Sequence, residues 1–246
     1  MKKFLCIGNS FGTDGARYLH GVARAAGVDT KVVNLYIGGC SLYRHYRNML
    51  SGEKAYSYEI NGFSSGLCVS LKEALLSDEW DAIYTQQCSP DSGEPETYEP
   101  FASRLAAFVR ECCPHAKFFV QETWTFETDA PRFLKTSYRT PETHIEAIRE
   151  CYKKMAEITE ADGIIPCGDA MYALWQRKAE LGIDAVHRDG FHAHFGHGRY
   201  LLALTIFSAL TGRDVRENTF CDFDTEVDPK VAQACREIAY EVTHKA

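Results

Sequence analysis

The chain has 246 residues, 45% of them hydrophobic, enough for one large α/β domain with a sizeable buried core. Its 27 lysines and arginines against 34 aspartates and glutamates leave a net charge of −7 with no basic run, so a surface that tracks nucleic-acid phosphates is not expected. No stretch approaches the roughly 20 uninterrupted apolar residues that cross a bilayer, and the first apolar run breaks at Gly8-Asn9-Ser10 before a secretory segment is complete.

Phe4-Leu5-Cys6-Ile7 reads as a first strand that ends in Gly8-Asn9-Ser10-Phe11-Gly12. Glycines on both sides of the serine let the backbone turn tightly, and a helix starting near Asp14 aims free N–H groups at the same point. Apolar spacing continues that helix over 16–26 until Gly27, and Lys31-Val32-Val33-Asn34-Leu35 is a second strand, giving a βαβ unit. Ile37-Gly38-Gly39-Cys40-Ser41-Leu42 is a second glycine turn on the same sheet edge as Ser10. The pattern weakens over 43–66, where a helix and a small hairpin around 55–60 form an excursion over the sheet. Its tyrosines either line a cleft or simply pack with wet hydroxyls.

A helix over 69–77 precedes a third strand at 80–85, which runs into the polar loop Gln86-Gln87-Cys88-Ser89. A helix over 99–113 stops at Pro114, a fourth strand over 117–121 leads to Trp124, and a long helix follows over 141–160 with proline at its first position. A short fifth strand at 163–166, a helix over 169–181, a histidine-rich loop over 186–198, an apolar helix over 199–210 and a last amphipathic helix over 229–243 complete the chain. No repeat or linker marks a boundary, so residues 1–246 are expected to form one domain. The ten cysteines include no C-x-x-C pair, and free thiols in a reducing cytoplasm are the simplest account.

Strand-to-helix turns of a parallel sheet gather at the strands' C-terminal ends, so Ser10 and a late His/Asp pair can meet at one edge. Asp189 and His192 stand three apart, which lets the carboxylate fix the imidazole tautomer and leaves the other nitrogen as a base for a serine nucleophile. The alternative is that Ser10 only caps the helix that follows. For a tetrahedral oxyanion the turns offer the N–H groups of Ser10 and Gly39 and a side-chain amide from Gln86 or Gln87. His187, His192, His194 and His197 match no zinc spacing, so neither metal nor other cofactor is expected; His194 and His197 line the pocket mouth or bond to nearby backbone. Trp124 is either a substrate platform or core. Cys88 lacks a neighbouring base and reads as pocket wall.

These residues resemble the SGNH (GDSL-like) hydrolases, through Gly8-Asn9-Ser10-Phe11, Gly39 before Cys40-Ser41, Gln86-Gln87 after the third strand, and Asp189-Gly190-Phe191-His192. The resemblance implies a three-layer α/β/α sandwich around a parallel sheet of about five strands, as in flavodoxin-like folds. It makes Ser10 the nucleophile, His192 the base, Asp189 its support and Gly39 an oxyanion donor. The third block departs from the family, with glutamine where asparagine is usual; the same amide sits one methylene further out. By analogy the substrate is a small-molecule ester, acetyl above all, on a carbohydrate-like alcohol, with Trp124, Tyr43 and His194 at its face. A lipid or thioester acyl hydrolase and a non-catalytic carbohydrate-binding relative are the alternatives.

Overall fold

The computed structural model describes residues 1–244. Seven strands form one sheet in the order β4-β3-β2-β1-β5-β6-β7. Strands β1 (Lys2–Gly8), β2 (Thr30–Tyr36), β5 (Ala82–Thr85), β6 (Lys117–Gln121) and β7 (Gly163–Ile165) are the parallel set. Strands β3 (Tyr56–Ile60) and β4 (Phe63–Val69) form an antiparallel hairpin that adds to the edge of β2. The excursion expected over 43–66 is therefore corrected: after helix α3 (Leu42–Ser51) the chain extends the sheet instead of covering it. Alternation explains the difference, because Tyr56 and Tyr58 are buried while Ser57 and Glu59 are half-buried, the period of a strand with one packed face.

The same alternation in β1 builds the core. Phe4 and Cys6 join one hydrophobic cluster, Leu5 and Ile7 the other, so this strand is buried on both faces. The first cluster is covered by α1 (Ser10–Ala16), α2 (Leu19–Ala25), α7 (Cys167–Gln176), α9 (His197–Thr211) and α10 (Pro229–Thr243). The second lies under α3, α4 (Leu71–Leu75), α5 (Phe101–Cys112) and α6 (Pro141–Thr159). Helix α9 is apolar on nearly all sides because it is enclosed, with Leu201, Leu202, Leu204, Ile206 and Phe207 all buried. A short helix, α8 (Lys178–Leu181), follows α7.

The strand order reverses at β1, since β2 continues on one side and β5 on the other. Such a switch point opens a crevice at the strand's C-terminal end. Ser10 stands at that end of β1. Among the described residues no helix is long and apolar enough to cross a membrane, and all ten cysteines are free thiols.

Candidate active site

Helix α1 begins at Ser10 itself, earlier than the expected start near Asp14. Asn9 is the cap: its side-chain oxygen accepts from the Phe11 N–H at 3.0 Å, which leaves the Ser10 hydroxyl unspent on capping. The two flanking glycines are required by close approach rather than by a left-handed backbone. A Cβ on Gly8 or Gly12 would stand within 3 Å of both the Cys6 sulfur and the Asn34 side-chain oxygen.

Ser10 Oγ lies 2.8 Å from His192 Nε2, and His192 Nδ1 lies 2.6 Å from Asp189 Oδ2. Asp189 Oδ1 also accepts from the His192 backbone N–H at 2.8 Å, so one carboxylate holds both the ring and the chain that carries it. Gly190, at a φ of +85°, makes this tight turn possible, and a Cβ there would meet Ala130 at 2.7 Å. Burial pushes the Asp189 carboxyl up, but the hydrogen bonds from His192 outweigh it and hold the group below the ordinary carboxylate value.

The turn is secured on three sides. Segment 186–194 closes as a narrow hairpin, with His194 N–H donating to the Val186 carbonyl and Arg188 N–H to that of His192. From the loop after β6, Glu127 N–H donates to the Gly190 carbonyl and Trp124 Nε1 to the Phe191 carbonyl at 2.8 Å. Glu127 also receives His187 Nδ1 at 2.9 Å and Trp175 Nε1 at 3.1 Å. Burial raises its carboxyl, yet His187 and Lys178 prevail and bring it down to about 2.

The third anchor comes from α1. Asp14, one turn beyond Ser10 and 0% exposed, accepts Arg188 Nη1 on both oxygens and Arg199 Nε on one, each at 2.9 Å. A buried carboxylate thus ties the helix that begins at Ser10 to the residue preceding Asp189. Sequence reasoning passed over this group. Its only signal was an acid one helical turn from Ser10, with an arginine beside Asp189 and another at the start of the following helix.

Gln86 and Gln87, one of which was expected to give the oxyanion an amide, are both fully buried and donate elsewhere, which corrects that expectation. Gln86 Nε2 donates to Asn9 Oδ1 at 2.9 Å, fixing the residue that caps α1. Gln87 Nε2 donates to Thr97, and its oxygen accepts from the Leu42 and Cys88 N–H groups at 2.9 Å. Gly39 is exposed at a φ of +60°, and its loop is joined to the Ser10 turn by Asn9 Nδ2 donating to the Cys40 carbonyl at 3.1 Å.

Trp124 is 0% exposed and stacks face to face on Phe11 at 3.8 Å, so it is a pillar beneath the site and not a platform. Tyr43 is exposed, but its contacts are the ring of Phe101 and Arg47, not Ser10, Asp189 or His192. The other histidines of the 186–198 loop are divided among separate partners: His187 with Glu127, His194 accepting from Gly196 N–H, and His197 with the Ala185 carbonyl. Burial lowers both His194 and His197, the latter to about 4, so these stacked rings are neutral near pH 7. Among the described residues no group of three or more His, Cys, Asp or Glu side chains is arranged to hold a metal ion. Cys88 is buried, its thiol pushed up to about 12 by burial and the nearby Asp91.

The chain belongs to the family described as Domain of unknown function (DUF4886), whose model matches residues 3–242. A DUF4886 family protein from Bacteroides uniformis is similar at 32% identity and a TM-score of 0.90, over 99% of this chain and 95% of that one. A carbohydrate esterase family 3 protein from Talaromyces cellulolyticus is similar at 14% identity and a TM-score of 0.56, over 86% of this chain and 97% of that one. A member of the lipolytic protein G-D-S-L family from Veillonella parvula matches at 14% identity and a TM-score of 0.52, over 86% and 99% of the two chains. The fold is that of the SGNH-like hydrolases. A search of curated proteins finds no match.

Proposed function

We propose that this DUF4886 protein is a serine esterase acting on small acyl esters. One observation carries the reading: an unbroken hydrogen-bond chain from Ser10 Oγ through His192 to Asp189, at 2.8 and 2.6 Å, on the crevice edge of the sheet. As Ser10 Oγ attacks the ester carbonyl carbon, His192 Nε2 takes its proton, and Asp189 steadies the imidazolium that forms. The carbonyl oxygen becomes an oxyanion, for which the backbone N–H groups of Ser10 and Gly39 are the donors. Collapse breaks the ester C–O bond, and the His192 proton goes to the departing alcohol. Water then attacks the acyl-serine with His192 again as base, releasing the acid and restoring Ser10.

An acetyl group on a carbohydrate-like alcohol is the substrate this reading favours, supported by the likeness in fold to a carbohydrate esterase. The short Ser10–His192 contact also speaks against a relative that binds without turnover. The test is covalent: a fluorophosphonate adds one phosphonyl group, mapped to Ser10 by mass spectrometry, and His192→Ala slows the labelling. Labelling elsewhere, or none, overturns the reading.

A further inference from the structure

The loops after β5 and β6 line an open cavity of about 610 Å³ whose walls include Glu94, Phe126, Arg132, Lys135 and Thr136. Two of its wall residues, Phe126 and Arg132, touch Phe191, which neighbours His192 in the 189–192 turn. The Arg132 guanidinium lies 4.0 Å above the Phe191 ring, the Phe126 ring stands edge-on to it at 6.2 Å, and Phe191 itself lies 3.8 Å from the His192 ring.

Arg132 and Lys135 are exposed, and among the described residues neither has a carboxylate within ion-pair distance. They sit three apart on one short helical turn, so their charges share a side of the cavity. Glu94 is the one acid among the lining residues, which leaves an excess of one positive charge. Held over the Phe191 ring, the Arg132 guanidinium carries N–H groups in a fork that suits the two oxygens of a carboxylate. The Ser137 hydroxyl, with Glu94 as an acceptor, supplies partners for alcohol groups, and Phe126 offers an apolar wall; the Thr136 hydroxyl is held by the Phe133 carbonyl at 2.8 Å.

We propose that this cavity receives the alcohol half of the substrate and that this half is a hydroxylated carboxylate, the chemistry of an acidic sugar. The proposal rests on the esterase reading, and its test is separable from it. Binding of methyl β-D-glucuronoside and of methyl β-D-glucoside is measured by calorimetric or NMR titration on Ser10→Ala protein, with and without Arg132→Gln, in low salt. The two sugars differ only in a carboxylate against a hydroxymethyl group. The expected result is about tenfold tighter binding of the glucuronoside, the scale of a charge-assisted hydrogen bond, falling to twofold or less in Arg132→Gln and in 0.5 M NaCl.

Equal binding of the two sugars, no binding of the glucuronoside, or a preference that survives Arg132→Gln overturns the proposal. Because Arg132 is exposed, the substitution leaves the core intact and the comparison interpretable. In unsubstituted protein the mono-O-acetylated forms of the same glycosides give the kinetic counterpart, with the kcat/KM ratio of acidic to neutral ester collapsing on Arg132→Gln. Loss of the esterase reading would appear differently, as ester hydrolysis that is absent or indifferent to Ser10→Ala, whatever the titrations give.

Discussion

Replacing Asp14 by alanine should cost both stability and turnover, and for one reason. The carboxylate is wholly buried and accepts three contacts at 2.9 Å from Arg188 and Arg199. Arg199 keeps a second carboxylate, Asp224, at 2.8 Å, whereas Arg188 is left with the Ala193 carbonyl. Breaking a buried pair by removing one partner costs about 3–5 kcal/mol. The retained contacts of Arg199 and the partial exposure of Arg188 put the loss at the lower end, about 3 kcal/mol. For a chain of this size that is a fall in Tm of about 6–12 °C.

The effect on chemistry follows from position. Arg188 immediately precedes Asp189, so releasing it lets the 189–192 turn shift against α1, and a displacement of about 1 Å can cost on the order of a hundredfold in rate. Urea unfolding and ester hydrolysis of Asp14→Ala, Arg188→Ala and the double variant form the assay. A shared anchor predicts strong non-additivity, with the double variant close to either single one. Costs that add to within about 0.5 kcal/mol, together with kcat unchanged in Asp14→Ala, would refute the anchoring argument.

Two further outcomes follow from the same contacts. Gln87→Ala orphans the buried N–H groups of Leu42 and Cys88 and should lower unfolding free energy by about 2–4 kcal/mol. Its kcat should fall less than tenfold, against the roughly 10²–10³ loss typical of a missing oxyanion donor; a loss of that size with unchanged stability would restore the glutamine to the oxyanion hole. Glu127, brought from an ordinary 4.5 to about 2, contributes stability that is full above pH 4.5 and disappears as the pH falls through 2. Glu127→Gln should therefore remove up to about 3 kcal/mol at pH 7 and flatten the acid limb of a stability profile, and an unchanged limb would contradict that assignment.

Local patterns made much of the fold legible in the sequence. The apolar run of β1 and the 3.6-residue spacing of α6 and α10 are properties of contiguous residues, and glycine turns mark where the strands end. Ser10, Asp189 and His192 were legible from a glycine-flanked turn, a three-residue spacing, the family resemblance and a topology that brings strand ends to one edge, and the structure brings their side chains into one hydrogen-bond chain.

What was hidden depends on partners far along the chain. Asp14 needs an arginine 174 residues away and another 185 away before its burial makes sense. Trp124 is a pillar because its indole N–H reaches a carbonyl 67 residues later. The glutamines stand where the family usually has asparagine, but their orientation is decided by Asn9 and Thr97, and no periodicity encodes a side chain's choice between a crevice and a buried acceptor.

The most direct test of the esterase account is hydrolysis of p-nitrophenyl acetate, butyrate and octanoate by the intact protein and by Ser10→Ala. The account predicts acetate turnover that exceeds octanoate turnover and drops at least a thousandfold on substitution, the order expected when a triad nucleophile is removed. Turnover that persists in Ser10→Ala would contradict it.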